Sequence, residues 1–216
     1  MNSTGTIKNH CVIRGNQVTL GPDTWFQADS HLTFQDFIVQ LYKRSGIDYP
    51  KFYKMDPLSR LGFMTAELLL EEGGDLKSCP ADRTAVIVAN ASSSIETDGK
   101  FNETIVDPSH YFPSPALFVY TLPNIFIGEI CIKNNIKGEN TCFISESFNT
   151  GFICDYVNRL LGSGKADRVI CGWVDLDRDY HYESILYLVE KEPDGAKSAE
   201  HRIFNVRNAD RLFRED

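Results

Sequence analysis

LPNIFIGEICIKNNIKGENTCFISESFNTGFICDYVNRLLGSGKAD, residues 122–167, switches between two hydrophobic periodicities, and that switching decides the fold. In its first part Ile125, Ile127, Gly128, Ile130 and Cys131 fall on one helical face, which predicts a helix over Asn124 to Asn134. Thr141-Cys142-Phe143-Ile144 then reads as a short strand, and Gly151 to Leu161 as a second amphipathic helix. Arg168-Val169-Ile170-Cys171-Gly172-Trp173-Val174 follows as a strand rich in β-branched and apolar residues.

The same alternation continues outward. Ala85-Val86-Ile87-Val88-Ala89-Asn90 is a continuous apolar run, the pattern of a strand buried on both faces. Ala91 to Asp98 reads as a small-residue loop. Toward the N-terminus, Val12 to Leu20 carries a Gly15-Asn16 turn between β-branched residues and predicts a short hairpin or a strand with a bulge. Phe34, Phe37, Ile38 and Leu41 predict a helix over Thr33 to Tyr42. A further helix starts at Asp56-Pro57, an N-cap followed by a first-turn proline, and stops at Gly73-Gly74. Toward the C-terminus, Ser184 to Glu190 predicts a last core strand, Glu192 to Glu200 a polar turn, and Ile203 to Val206 an edge strand. The expected architecture is a mixed five-stranded α/β sheet with helices on both faces.

At 216 residues and 42% hydrophobic content, the chain has enough apolar material for one sizeable core, so residues 1–216 are expected to form one domain. No stretch approaches the roughly 18 apolar residues of a membrane span, and Met1 to Thr6 lacks the character of a secretory signal, so a cytoplasmic protein is expected. Cys11, Cys79, Cys131, Cys142, Cys154 and Cys171 form no C-x-x-C pair, which predicts free thiols, no disulfide and no metal site. A net charge of −8 argues against nucleic acid as a partner.

Four stretches, in order, resemble the β-ketoacyl synthase family. Lys54-Met55-Asp56-Pro57-Leu58-Ser59-Arg60 is similar to the entry to the family's first long helix, and Val86 to Asn90 with its Ser-rich loop to a strand near the dimer interface. Tyr120-Thr121-Leu122-Pro123-Asn124 is similar to a Pro-Asn segment before the next helix, and the opening segment completes the set. The resemblance is clearest over residues 50–175 and implies one thiolase-like half, with a helix that the full fold buries between two sheets. Counting back from Gly164-Lys165-Ala166-Asp167 places Ser147, within Glu146-Ser147-Phe148-Asn149-Thr150-Gly151, where the family has its nucleophilic cysteine.

That substitution bears on the chemistry. Condensation needs a thiolate at a helix N-terminus and imidazoles that stabilise an oxyanion. Among His10, His31, His110, His181 and His201, none sits in a matching motif, and His181 between Tyr180 and Tyr182 reads as a loop residue. Ser147 is therefore either a nucleophile or a helix cap. Phe148, Asn149 and Asn124 are the candidate substrate contacts. The exposed flank of the central helix, Phe152, Ile153, Val157 and Leu160, is the candidate interface. Lys51, Lys54 and Arg60 are the candidate docking cations for an acidic acyl carrier protein.

The resemblance implies a non-catalytic, chain-length-factor-like subunit of fatty-acid or polyketide (aryl-polyene type) synthesis. It would be without a cofactor and paired with a full-length ketosynthase or with a second copy of itself. The alternatives are a serine-dependent acyltransferase or hydrolase using Ser147, and a ligand-binding or scaffolding domain.

Overall fold

The computed structural model describes residues 5–73, 79–191 and 199–214. Its centre is a mixed seven-stranded sheet made of β1 (Gly5–Arg14), β2 (Gln17–Leu20), β3 (Asp23–Gln27), β4 (Thr84–Asn90), β5 (Asn140–Ile144), β6 (Arg168–Leu176) and β7 (Tyr182–Lys191). The order across the sheet is β3-β2-β1-β7-β6-β4-β5. Only β4 pairs in parallel, with β5 on one side and β6 on the other. Seven strands stand where five were expected. The additions are at the N-terminus: Gly5–Arg14 is one long strand against β7, and Asp23–Gln27 pairs with β2. The expected turn at 192–200 falls largely outside the described residues, as does Gly74.

Crossover handedness puts helices on both faces. The chain leaves β4 for β5 through α5 (Ile125–Asn134), then steps back over β4 to β6 through α6 (Thr150–Gly162). Two crossovers in opposite directions, each right-handed, place their helices on opposite sides of the sheet. α1 (Phe34–Ser45), α2 (Pro57–Gly73) and α5 share one core with Val86, Val88, Ile170 and Leu188. α6 and α7 (Val206–Arg214) share the other with Ala85, Ile87, Cys171 and Tyr187. Strand alternation separates the two sets, and every residue of β4 is buried.

Local signals explain the element ends. Gly15 and Asn16 both have positive φ (54° and 60°), the requirement of a two-residue hairpin turn. The buried Asn16 side chain then joins three segments: Nδ2 donates to the carbonyls of Asp29 (2.9 Å) and Leu32 (3.0 Å), and Tyr182 Oη donates to its Oδ1 (2.6 Å). Asp56 caps α2 by accepting from Ser59 N at 3.1 Å, and Thr33 caps α1 by accepting from Asp36 N at 3.2 Å.

Two segments differ from expectation. Ile95 to Asp98, read as loop, begins helix α3 (Ile95–Glu103), because Glu96 and Thr97 turn inward to polar partners rather than to solvent. Ile203 to Val206 contributes only an isolated bridge from Ile203 to Thr6. Asn205 accepts from Asn208 N at 2.9 Å and starts α7 instead, with Ala209, Leu212 and Phe213 toward the sheet.

Gly172 carries the tightest constraint inside the sheet. Its φ is 152°, and a Cβ there would lie 2.1 Å from the Ile185 carbonyl oxygen of β7. Backbone cannot yield as a side-chain tip can. Gly172→Ala is expected to lower stability by about 3 kcal/mol or more, measured by urea denaturation.

Candidate functional site

The expected site lies where β5 turns into α6. Ser145 N donates to the Asn90 carbonyl at 2.9 Å, extending the pairing with β4, and Ser145 Oγ donates to the Ser147 carbonyl at 2.9 Å, closing the bend. Asn149 ends it: its Oδ1 accepts from Phe152 N at 2.9 Å and caps α6. The cap is thus Asn149 and not Ser147, which sits two residues earlier on the surface. No base is hydrogen-bonded to the Ser147 hydroxyl among the described residues.

Phe148 turns inward. Its ring stacks on Trp173 at 5.9 Å and meets Phe213 edge-on at 5.1 Å, so the inner side of the bend is filled by the chain's own aromatics. Thr150 Oγ1 donates to Asp210 at 2.6 Å and fastens α7 beside the start of α6. Asn124 opens α5 on the other face of the sheet and makes no side-chain cap bond. Phe148 and Asn149 are therefore neighbours, while Asn124 is not brought to them from the α1–α2–α5 layer.

The interface candidates divide sharply. Ile153, Val157 and Leu160 pack against the sheet and are spent on the core, whereas Phe152 is 44% exposed. The outward flank of α6 is instead polar, with an Asp155–Arg159 ion pair at 2.9 Å. The sheet face on this side is covered by α6 and α7.

The three candidate docking cations cluster around the 3₁₀ turn at Pro50–Lys54 and the first turn of α2, but two of them already have partners. Lys51 Nζ pairs at 2.7 Å with Glu129, a carboxylate only 4% exposed that also accepts from Tyr49 (3.3 Å) and Tyr120 (3.4 Å). Burial first, and then the Glu129 and Asp56 charges, push the Tyr120 phenol up to about 12. Arg60 donates to the Tyr53 carbonyl at 2.9 Å and lies over the Phe52 ring, and burial lowers its pKa. Lys54 is exposed.

A second polar cluster was not anticipated. The buried Glu96 accepts from Tyr180 Oη and pairs with Lys100, while Thr97 Oγ1 donates to Asp56 at 3.1 Å. Asp175 orders the Ser-rich loop by accepting from Ala91 N (3.0 Å), Ser92 N (2.8 Å) and Ser92 Oγ (3.0 Å). A single charge inside an apolar helix, as Glu129 is in IFIGEICI, is the one signal that sequence offered for these groups. His181 lies in the β6–β7 turn with Asp177 and Asp179, their ligand atoms within 4.8 Å of one another. Asp177 there accepts from Asp179 N, His181 N and His181 Nδ1 (2.8, 2.9 and 2.8 Å), an arrangement that closes the turn.

Comparison with known proteins bears on the fold. No family model matches the chain, and no curated protein does. Solved structures match. The ishigamide ketosynthase/chain length factor superposes with a TM-score of 0.63 at 17% identity, over 90% of this chain and 63% of that one. A type II PKS ketosynthase in complex with its acyl-carrier protein (AntDE:AntF) gives 0.60 at 11%, over 88% and 63%. The ketosynthase ApeO in complex with its chain length factor ApeC from Xenorhabdus doucetiae gives 0.55 at 14%, over 88% and 80%. The chain has a ketosynthase-like α/β fold of the thiolase type, and it spans 63% of the length of the first two. Among the described residues no helix is long and apolar enough to cross a membrane.

Asp56 yields a pH prediction. Its pKa is raised chiefly by burial. A carboxyl that holds its proton more tightly when folded loses stability as pH climbs from the unfolded carboxylate range through the folded pKa. Asn caps a helix as well as Asp and carries no charge to bury. Asp56→Asn is expected to match or exceed the native stability at pH 7, with the difference shrinking toward pH 4, whereas Asp56→Ala loses about 1 kcal/mol of capping at both. Thermal denaturation across pH measures both.

Proposed function

We infer that the protein is a ketosynthase-like subunit of fatty-acid or polyketide-type synthesis that pairs with a catalytic ketosynthase and does not itself condense acyl groups. The observation that carries this is the β5–α6 bend. By the count from Gly164 to Asp167, Ser147 falls where the resemblance puts the family's cysteine; it lies at the surface with no base hydrogen-bonded to it among the described residues, and Phe148 fills the space behind it against Trp173 and Phe213. A serine hydroxyl at neutral pH is a poor nucleophile without such a base. Its exposure is the one feature that favours a serine-dependent acyltransferase or hydrolase instead. An acyl-carrier protein is the further partner that the fold's relatives bring to mind, with Lys54 as the exposed cation on this chain.

The surface we assign to pairing lies elsewhere than on α6. Between α3 and α5 the chain runs through α4 (Pro115–Val119), and this connection carries Val106, Tyr111, Phe112, Phe118, Val119 and Leu122, each half or more exposed. Phe112 reaches 83% and Phe118 61%. Apolar side chains gathered in this way on an otherwise acidic protein mark an interaction surface.

Light scattering on a mixture with a full-length ketosynthase from the same source tests the reading. The expected result is a complex of defined stoichiometry. Phe112→Asp combined with Phe118→Asp should weaken it at least tenfold without lowering the melting temperature, because neither ring is in the core. A chain that stays monomeric beside every such synthase would sink the proposal.

A further inference from the structure

The exposed apolar side chains between α3 and α5 sit on a segment with little of its own to hold it. No residue from 98 to 125 is buried, although α3 and α5 each turn residues inward on either side of it. A connection that buries nothing takes its position from a few discrete ties. Phe101 and Phe118 meet at 5.4 Å, and Ser94 Oγ donates to the Thr121 carbonyl at 2.7 Å. One side chain reaches further in: Tyr120 is the one hydrophobic side chain of residues 98–125 that packs against either core.

Tyr120 ends on a charge. Its Oη donates to Glu129 Oε1 at 3.4 Å, and Tyr49 Oη donates to Oε2 of the same carboxylate at 3.3 Å. Glu129 is buried within the apolar stretch IFIGEICI, where a carboxylate is costly unless a cation and hydrogen bonds compensate it. The cation is Lys51, whose Nζ lies 2.7 Å from the same Oε1 that accepts from Tyr120.

The two charges stand differently toward solvent. The Lys51 side chain is 45% exposed and that of Glu129 only 5%. Removing the charge of the lysine strands a buried anion, whereas removing the charge of the carboxylate leaves an ammonium that water solvates. The pair is therefore asymmetric, and the lysine is the member that the local structure depends on.

We propose that Lys51 is a positioning residue for the exposed apolar band: it keeps Glu129 in place as the anchor of Tyr120, and Tyr120 holds Phe118, Val119 and Leu122 in their outward arrangement. A docking cation would meet its partner directly, whereas Lys51 acts through Glu129. Its importance for pairing rests on the reading of the band as the pairing surface; the tie itself does not.

Lys51→Met, Glu129→Gln and their double variant test this. Amide hydrogen exchange is measured on the free full chain, and affinity on a mixture with a full-length ketosynthase from the same source. In Lys51→Met, exchange over residues 104–122 is expected to quicken about tenfold or more, with β4 and β6 unchanged, and affinity to fall by a similar factor. Glu129→Gln alone should change neither, because its amide oxygen still accepts from Tyr120. Added to Lys51→Met, it should restore both to within about twofold of the native chain. Tyr120→Phe, which removes the tie and leaves both charges, is expected to release the same residues and serves if Lys51→Met does not fold. Native exchange in Lys51→Met or in Tyr120→Phe, or a loss that Glu129→Gln does not reverse, would overturn the proposal. A native chain that binds no synthase would sink the pairing reading alone, since the exchange measurement needs no partner.

Discussion

Burial of β4 and β6 on both faces is the constraint on which the rest of the structure depends. All seven residues of β4 are buried, and β6 is buried from Arg168 through Val174. Each apolar side chain of this size contributes about 1.5–3 kcal/mol when fully covered, so neither face can be left open. The two opposed crossovers supply one helix to each side. α1 and α2 complete the first layer, and α7, tied down through Thr150, Asp210 and Tyr187, completes the second.

Covering the second face changes what the β5–α6 bend can do. Ile153, Val157 and Leu160 point into the sheet, and the helix turns Asp155 and Arg159 outward. The bend is rigid, since Ser145, Asn149 and Thr150 each hold a hydrogen bond that shapes it. Its inner side is occupied by Phe148, Trp173 and Phe213. What remains is a hydrogen-bonded turn with Ser147 exposed on it. Exposed apolar side chains, Phe112 and Phe118 among them, lie instead on the connection between α3 and α5.

Most of the fold was legible because its signals are local. The Gly15-Asn16 turn, the Asp56 and Thr33 caps and the continuous apolar run of β4 each depend on a few adjacent residues. The missed pieces depend on contacts distant in sequence. The long β1 is defined by pairing with β7 some 180 residues away, and α7 replaces a strand because its apolar side chains find the α6 layer. The helical flank was read as an interface because its spacing shows an apolar stripe but not which surface covers it. Glu96, Glu129 and Asp175 matter through Tyr180, Lys51 and Ser92, partners 78 to 84 residues distant, which no motif encodes.

The central claim is that the bend is kept for its shape and not for catalysis, and intact-mass measurement tests it most directly. The purified chain would be incubated with acyl-carrier-protein thioesters and acyl-coenzyme A thioesters of several lengths, beside Ser147→Ala. The expected result is an unchanged mass for both proteins. An acyl adduct on the native chain that disappears in Ser147→Ala would contradict the claim and make the serine a nucleophile.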